Sequence, residues 1–533
     1  MSILGSVPRT SPIVGLIGTA AAVLGFVVVR LLALWKKRNP RLPPGPPGEF
    51  LLGHYRVVPV DAAFKKYAEW GKQYNSDVLF FETFGTKWIV LNSVCSAVEL
   101  LEKRGSNYSD RPRFVMFEEM GWSPTLTWLR WGPKYQLHRR VLQPAFSKSK
   151  IGQFVGLQRK EALICCKGLI EDAQNWPNAV RRCSVAIVLK IAYGLDVDSP
   201  TSKWIDMAEK SAQAIGKAGA PGSSIMDLFP ATRYLPAWLP FMERLRYAHT
   251  WRCAIQSITS LPFEASLRQM AVHLDRRFFT HNRVSIHNTP SPSPSNLSSL
   301  FTLEDIKGAA ATVLIAGNDT TAATVMLLIL YLMQNPHVQS KAQAEIDALI
   351  GPSRLPTFED THHLPYLKLI LHEAYRMNPL SPLGIPHASV ADDVYEGMFI
   401  PKGTIVYQNV WAMMHDESVY ADPETFWPER YLSREEGGNA EPLPVGNFGF
   451  GRRVCIGRNL AENSLIIVLA MILATVEIGW PIGEDGREER FEPEFSYRGQ
   501  ATVMPFRASI EARSDRAKAL LDAEVDGLQG VEF

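Results

Sequence analysis

Apolar residues recur three and four positions apart along most of this chain, the spacing of one face of a helix. Stretches at 157–194, 240–275, 302–335, 337–350, 363–377 and 458–475 carry that pattern and predict helices. Two shorter runs, 78–91 and 394–408, read as strands. The patterns together predict a mainly α class with a minor β part. The stretch from 302 opens on Thr302-Leu-Glu-Asp, a capping-box-like start, and stops before Pro336. At about 1.5 Å per residue it reaches about 50 Å, enough to cross a whole domain. Gly317 weakens it in the middle, and the Thr320 hydroxyl can compete for the carbonyl of Ala316, so a local opening is expected there. From His281 to Leu300 the rhythm fails: Thr-Pro-Ser-Pro-Ser-Pro-Ser-Asn has the composition of a loop. Internal repeats are absent.

The N-terminus follows a different rule. Ile13 to Trp35 is apolar apart from Arg30, and a helix of that length reaches about 35 Å, a tilted bilayer crossing. A cleaved signal peptide would have a shorter apolar region and a small-residue cleavage site, whereas this one ends in Trp-Lys-Lys-Arg. Lys36, Lys37, Arg38 and Arg41 follow the span and only Arg9 precedes it, which places the rest of the chain in the cytosol. Leu42-Pro-Pro-Gly-Pro-Pro-Gly48 then predicts an extended hinge. The segment 229–240 mixes three prolines with Phe229, Tyr234 and Trp238, and fits either a loop dipping into the membrane interface or an ordinary packed loop.

Composition narrows the classes. Against 56 Lys+Arg stand 54 Asp+Glu in 533 residues, a net charge of +2, which argues against a nucleic-acid binder. A 21% charged and 10% aromatic composition argues against disorder. Six Cys without a C-x-x-C pair make neither a disulfide framework nor a structural zinc site, and fit reduced thiols in a reducing compartment.

One cysteine stands apart. Phe448-Gly-Phe-Gly-Arg-Arg-Val-Cys-Ile-Gly457 fits F-x-x-G-x-R-x-C-x-G at five fixed positions, an accident of about one in 6,000 for a chain of this length at ordinary residue frequencies. With this motif the chain resembles the haem-thiolate monooxygenases, the cytochrome P450 family, from the N-terminal span to about residue 507. Physical reasons accompany each position. A thiolate favours O–O cleavage by haem iron, which makes Cys455 the candidate ligand to heme b. Gly451 permits a tight turn, Gly457 lets the following helix lie close under the porphyrin, Arg453 can pair with a propionate, and Phe448 can shield the sulfur.

The resemblance implies further roles. Glu373-Ala-Tyr-Arg376 puts opposite charges three residues apart on a helix, a spacing shared by Glu243/Arg246 and Glu484/Arg487. Context selects the first, since Asn378-Pro379 ends its helix and Phe426-Trp-Pro-Glu-Arg-Tyr431 follows, and the resemblance implies a buried triad of Glu373, Arg376 and Arg430. It also implies that Asp319 and Thr320 serve proton delivery in a pocket that otherwise excludes water. His387 stands at a propionate-contacting position. Thr312, Ala316 and Leu383 are implied to line the substrate pocket, with 112–128 and Ala501 to Val503. Where the family commonly has Trp-Arg, the run Trp131-Gly-Pro-Lys-Tyr-Gln-Leu-His-Arg-Arg140 has Tyr135 and Gln136, which can still donate hydrogen bonds, with Arg139 near the same group.

The expected organisation is a membrane anchor (1–36), a hinge (37–48), a cytochrome P450 catalytic domain (49–510) and a C-terminal tail (511–533). The expected activity inserts one atom of O2 into a hydrophobic small molecule, with electrons from NADPH-cytochrome P450 reductase, a separate protein because the chain has no dinucleotide-binding G-x-G-x-x-G unit. The expected location is the endoplasmic reticulum membrane, single-pass and in contact with membrane lipid. Leu364-Pro-Tyr-Leu367 and Pro428-Glu-Arg-Tyr431 resemble fungal members that tailor secondary metabolites. An isomerase or dehydratase of the same fold, working without a reductase, is the alternative. A non-enzymatic haem or membrane protein is the third reading.

Overall fold

The computed structural model describes residues 41–122, 125–199, 201–219, 224–272, 278–288, 302–497 and 499–528. The apolar span Ile13 to Trp35 lies outside them. The helices that build the site region are α1 (Pro133–Ala145), α2 (Val155–Glu171), α3 (Trp176–Tyr193), α4 (Glu243–Met270), α5 (Leu303–Gln334), α6 (Pro336–Ile350), α7 (Pro365–Met377), α8 (Arg458–Thr475) and α9 (Asp515–Asp526). Among the strands, β1 (Val78–Thr83), β2 (Thr86–Leu91), β3 (His387–Ala388) and β4 (Ile405–Gln408) are joined in one sheet of order β1-β2-β4-β3, and β5 (Val476–Gly479) and β6 (Ser509–Ala512) pair antiparallel; two further two-stranded sheets pair Asp393–Tyr395 with Met398–Ile400 and Phe495–Ser496 with Thr502–Val503.

α5 is apolar on every side and consequently central, with α3, α4, α7 and α8 packed around it. Its start is a full capping box: Thr302 Oγ1 accepts from the Asp305 N–H at 3.1 Å, and Asp305 Oδ2 accepts from the Thr302 N–H at 3.2 Å. α5 and α8 are also long and apolar enough to cross a membrane, yet two thirds of each apolar window is covered by protein, which makes them core helices. Gly317 sits where α5 meets α3, and a Cβ there would lie 2.5 Å from Val188 Cγ1. The glycine thus allows the two helices to touch.

Four expectations need correction. The expected single helix 157–194 is two, because Pro177 in the first turn of α3 fits only a new start, and Asp172 leaves the helical region just before it. The loop expected from His281 begins later, since Phe279–Asn288 is helical and residues 289–301 lie outside the described set. The local opening expected in α5 is absent: the helix is continuous from Leu303 to Gln334, and the Thr320 hydroxyl shares the Ala316 carbonyl at 2.8 Å without displacing the backbone bond.

The fourth concerns the domain ends. Residues 41–48 are docked on the body, where the Pro44 carbonyl accepts from the Phe80 N–H at 2.9 Å and the Pro46 carbonyl meets His54 Nε2 at 2.8 Å. The expected tail from 511 begins inside β6, and α9 lies on α2 with Leu521 buried and Arg159 paired to both Glu524 oxygens at 2.8 and 3.0 Å.

Candidate active site

Cys455 stands just before α8, whose first backbone N–H groups, those of Gly457 and Arg458, face the sulfur. Its own N–H donates to the Phe448 carbonyl at 2.9 Å, closing the loop into a tight structure. Gly451 has φ 58°, and a Cβ there would overlap the Leu101 carbonyl, so both the turn and the close approach require glycine. Cys455 is exposed by surface area although protein surrounds it. Burial pushes the thiol pKa up, opposed by the two amides and by the charges of Arg139 and Arg458. Phe448 packs edge-on against Tyr375, ring centroids 5.6 Å apart.

Next to this loop two arginines and a histidine are buried together. Arg453 donates from Nε to the Ser109 carbonyl at 2.7 Å and from a terminal nitrogen to the Leu129 carbonyl at 2.8 Å, with its guanidinium over the Tyr135 ring at 3.7 Å. Arg111 donates to the carbonyls of Ile385 and Pro386 at 2.8 and 2.7 Å. His387 bonds through Nδ1 to the Tyr108 carbonyl at 2.7 Å. Burial lowers all three pKa values, Arg111 to about 9 with help from the charge of Arg453, Arg453 to about 10, and His387 well below its ordinary value. Among the described residues no carboxylate forms an ion pair with any of them; the neighbouring Asp110 is bound to Arg130. Buried positive charge of this kind calls for an anionic partner.

α1 braces the cysteine loop from the other side. The Tyr135 hydroxyl donates to the Arg452 carbonyl at 2.8 Å, and Arg139 donates to the Val454 carbonyl at 3.0 Å. The Tyr135 hydroxyl is thus bonded to the loop, and Gln136 is exposed.

On α5, Ala316 is exposed midway along the helix, flanked by the half-buried Ile315 and Gly317. Burial raises the Asp319 pKa, opposed by Arg181, which itself lies 3.5 Å from Glu209. The Thr312 hydroxyl is engaged twice, donating to the Gly308 carbonyl at 2.8 Å and accepting from the Leu126 N–H at 3.1 Å, so it ties the 125–130 loop to α5. Leu383 packs on the cluster of Tyr67, Trp70 and the β1 residue Phe81. Ala501 is buried and bonded to the Leu380 carbonyl through its N–H at 2.8 Å.

Glu373, Arg376 and Arg430 are wholly buried. Arg376 donates to both Glu373 oxygens at 2.9 Å, Arg430 to Oε1 at 3.0 Å, and Tyr431 to Oε2 at 2.7 Å. A fourth charge, which no motif in the sequence marks, completes the group: Glu441 Oε2 accepts from Arg430 at 2.7 Å.

The comparisons agree with this geometry. The family model described as Cytochrome P450 matches residues 43–494. The chain belongs to the cytochrome P450 family. Cytochrome P450 monooxygenase COX2 of Coprinopsis cinerea is 33% identical over 516 residues, 96% of this chain and 97% of that one. Cytochrome P450 monooxygenase 98 of Postia placenta is 34% identical over 513 residues, 95% and 96% of the two chains. The tryptamine 4-monooxygenase of Psilocybe cyanescens is 35% identical over 460 residues, 84% and 89%. The protein is therefore a haem monooxygenase of the kind found in fungal metabolism, an oxidoreductase that incorporates oxygen, and its family uses heme b held by a cysteine thiolate. The residues present fit that group. Cys455 supplies a thiol ligand, and the two buried arginines, Arg111 and Arg453, match the two propionates of a haem, with His387 beside them as a neutral hydrogen-bonding group. Arg111 is not identifiable from sequence, because Ser109-Asp110-Arg111-Pro-Arg has no spacing that distinguishes it from a surface charge run.

Proposed function

We propose that Cys455 is the thiolate ligand and that the protein oxygenates a hydrophobic small molecule in secondary metabolism, receiving electrons from NADPH-cytochrome P450 reductase. The observation that carries the ligand assignment is the loop built around Cys455, with a glycine turn at Gly451 and the backbone N–H groups of Gly457 and Arg458 directed at an exposed, protein-surrounded cysteine. Bound haem supplies the redox chemistry that splits O2 between substrate and water. The protein contributes the surroundings. Arg111 and Arg453 would neutralise the propionates, His387 could offer them a hydrogen bond, and the amides of Gly457 and Arg458 would spread the sulfur charge. Asp319, its pKa raised by burial, holds a proton to higher pH than an exposed carboxyl and passes it inward, while Thr320 positions the proton at the oxygen-binding side. Ala316 offers an apolar contact to substrate, and Thr312 and Leu383 shape the surrounding wall. The tryptamine named for one relative belongs to that relative; for this chain the accessible apolar surface of α5 supports a hydrophobic ligand.

A test addresses the cation cluster directly. Arg111→Met is expected to speed haem loss by about tenfold or more, the effect of removing one charge-assisted partner from a buried site. Arg113→Met, whose side chain pairs at the surface with Glu118 at 2.8 Å, leaves haem retention unchanged. Transfer of haem to an acceptor globin measures both. Equal rates for the two variants would remove Arg111 from the site.

The proposed location is the endoplasmic reticulum membrane, with residues 1–36 as the anchor and the catalytic domain in the cytosol. Supporting it, Tyr234, Trp238 and Phe241 are 84%, 76% and 78% exposed and stand close in sequence to the half-exposed Phe229. An exposed aromatic group of this size suits a lipid interface. A protein lacking residues 1–36 is expected to keep its haem and to retain weak binding to phosphatidylcholine vesicles, which Trp238→Ser with Phe241→Ser abolishes. Vesicle co-sedimentation measures it; unchanged binding by the double variant would exclude this segment.

A further inference from the structure

The buried ion cluster behind the cysteine loop is larger than a triad. With only Glu373 opposing Arg376 and Arg430, a net positive charge would remain in a region where all three side chains are fully buried. Glu373 is also saturated: besides Arg376, Arg430 and Tyr431 it accepts from the Trp427 N–H at 3.0 Å. Glu441, with its side chain only 6% exposed, supplies the second negative charge on the far side of Arg430. Its Oε2 accepts from Arg430 at 2.7 Å, and its Oε1 accepts from the Ala421 N–H at 3.0 Å and from Asn439 Nδ2 at 3.1 Å. Its backbone is held by the same residue, since the Glu441 N–H donates to the Arg430 carbonyl at 3.0 Å. Arg430, Ala421 and Asn439 together outweigh burial and keep its pKa below the ordinary value, so the carboxylate is ionised.

Glu441 is also where the chain leaves this cluster for the cysteine. Pro442 and Pro444 follow immediately, and two fixed φ angles make the passage to the loop stiff. We propose that Glu441 is a positioning residue for the haem ligand: it neutralises the cluster, clamps the start of the segment that carries Cys455, and so maintains the thiolate. This rests on the reading of Cys455 as the ligand.

The test separates charge from shape in the haem-loaded full chain. Glu441→Gln fits the site and keeps an Oε1 acceptor but loses the charge, whereas Glu441→Asp keeps the charge and loses the fit. The readout is the rate at which the ferrous carbonyl spectrum changes from the thiolate type to the type lacking thiolate ligation, followed at constant haem content under mild warming. Glu441→Gln is expected to change about tenfold faster than wild type because it leaves a buried guanidinium uncompensated, and Glu441→Asp more slowly than Glu441→Gln. Arg430→Gln with Glu441→Gln, neutral again, is expected to outlast Arg430→Gln alone, which gives a second comparison where Glu441→Gln yields too little holoprotein. A wild-type rate for Glu441→Gln, a faster change in the Asp variant, or a double variant no better than Arg430→Gln would overturn the proposal. A thiolate-type spectrum in Cys455→Ala would instead overturn the ligand assignment on which it rests.

Discussion

Glu373→Ala is expected to yield almost no folded haem-containing protein. Its carboxylate accepts hydrogen bonds from Arg376 and Arg430 at 2.9 and 3.0 Å, from Tyr431 at 2.7 Å and from the Trp427 N–H at 3.0 Å. Removing it leaves two buried guanidinium groups with only Glu441 as a counter-charge. Breaking a buried ion pair in this way costs about 3–5 kcal/mol, a large part of the roughly 5–15 kcal/mol that holds a typical domain folded. The comparison that isolates burial is Glu243→Ala. Glu243 and Arg246 have the same three-residue spacing on a helix and a similar distance, 3.1 Å, but their side chains are 69% and 44% exposed. Solvent screens that pair, and its loss is expected to change stability by less than about 0.5 kcal/mol. Haem content and thermal unfolding of the two variants check this; comparable effects would mean that burial does not decide the role of Glu373.

Thr320→Ala is expected to separate electron consumption from product formation. Folding and haem content should remain near wild type, because one hydroxyl bonded to the Ala316 carbonyl contributes about 1 kcal/mol. Under the proposed relay, loss of the hydroxyl leaves the proton without its holder beside the oxygen site. NADPH consumption is then expected to continue, product to fall several-fold and hydrogen peroxide to rise. Asp319→Asn differs, since it removes the supply of protons and not their placement, and slows NADPH consumption itself. The raised pKa of Asp319 sets the sign of the pH dependence: the acid is protonated below its pKa, and as pH rises through that value the supply declines. Stoichiometry of NADPH, oxygen, peroxide and product decides. Unchanged coupling in Thr320→Ala would take Thr320 out of the mechanism, and turnover without NADPH would favour the isomerase alternative.

The parts of this fold that are legible in the chain are those set by local chemistry. The capping box at Thr302, the stop at Pro336 and the all-round apolar surface of α5 are read within a few residues of where they act. The break between α2 and α3 is hidden because apolar periodicity continues across it, and only Pro177 marks it. Around the cysteine, the glycine turn is encoded by neighbours in sequence, so the motif alone singles out Gly451. It does not single out Arg111 or Glu441. Arg111 lies 342 residues from Arg453 and Glu441 lies 68 from Glu373. Their roles come from burial beside distant charges, and a charged residue in a loop is by default a solvated one. Tyr135 shows the converse. Its position in the chain suggests a group facing haem, while the packing of α1 on the cysteine loop turns its hydroxyl toward the Arg452 carbonyl.

The carbonyl difference spectrum of the reduced full chain tests the central claim most directly. Wild type is expected to give the thiolate-type spectrum, Cys165→Ala, Cys166→Ala and Cys253→Ala to keep it, and Cys455→Ala to lose it entirely. A thiolate-type spectrum in Cys455→Ala, or its loss in any of the other three at normal haem content, would contradict the assignment of Cys455.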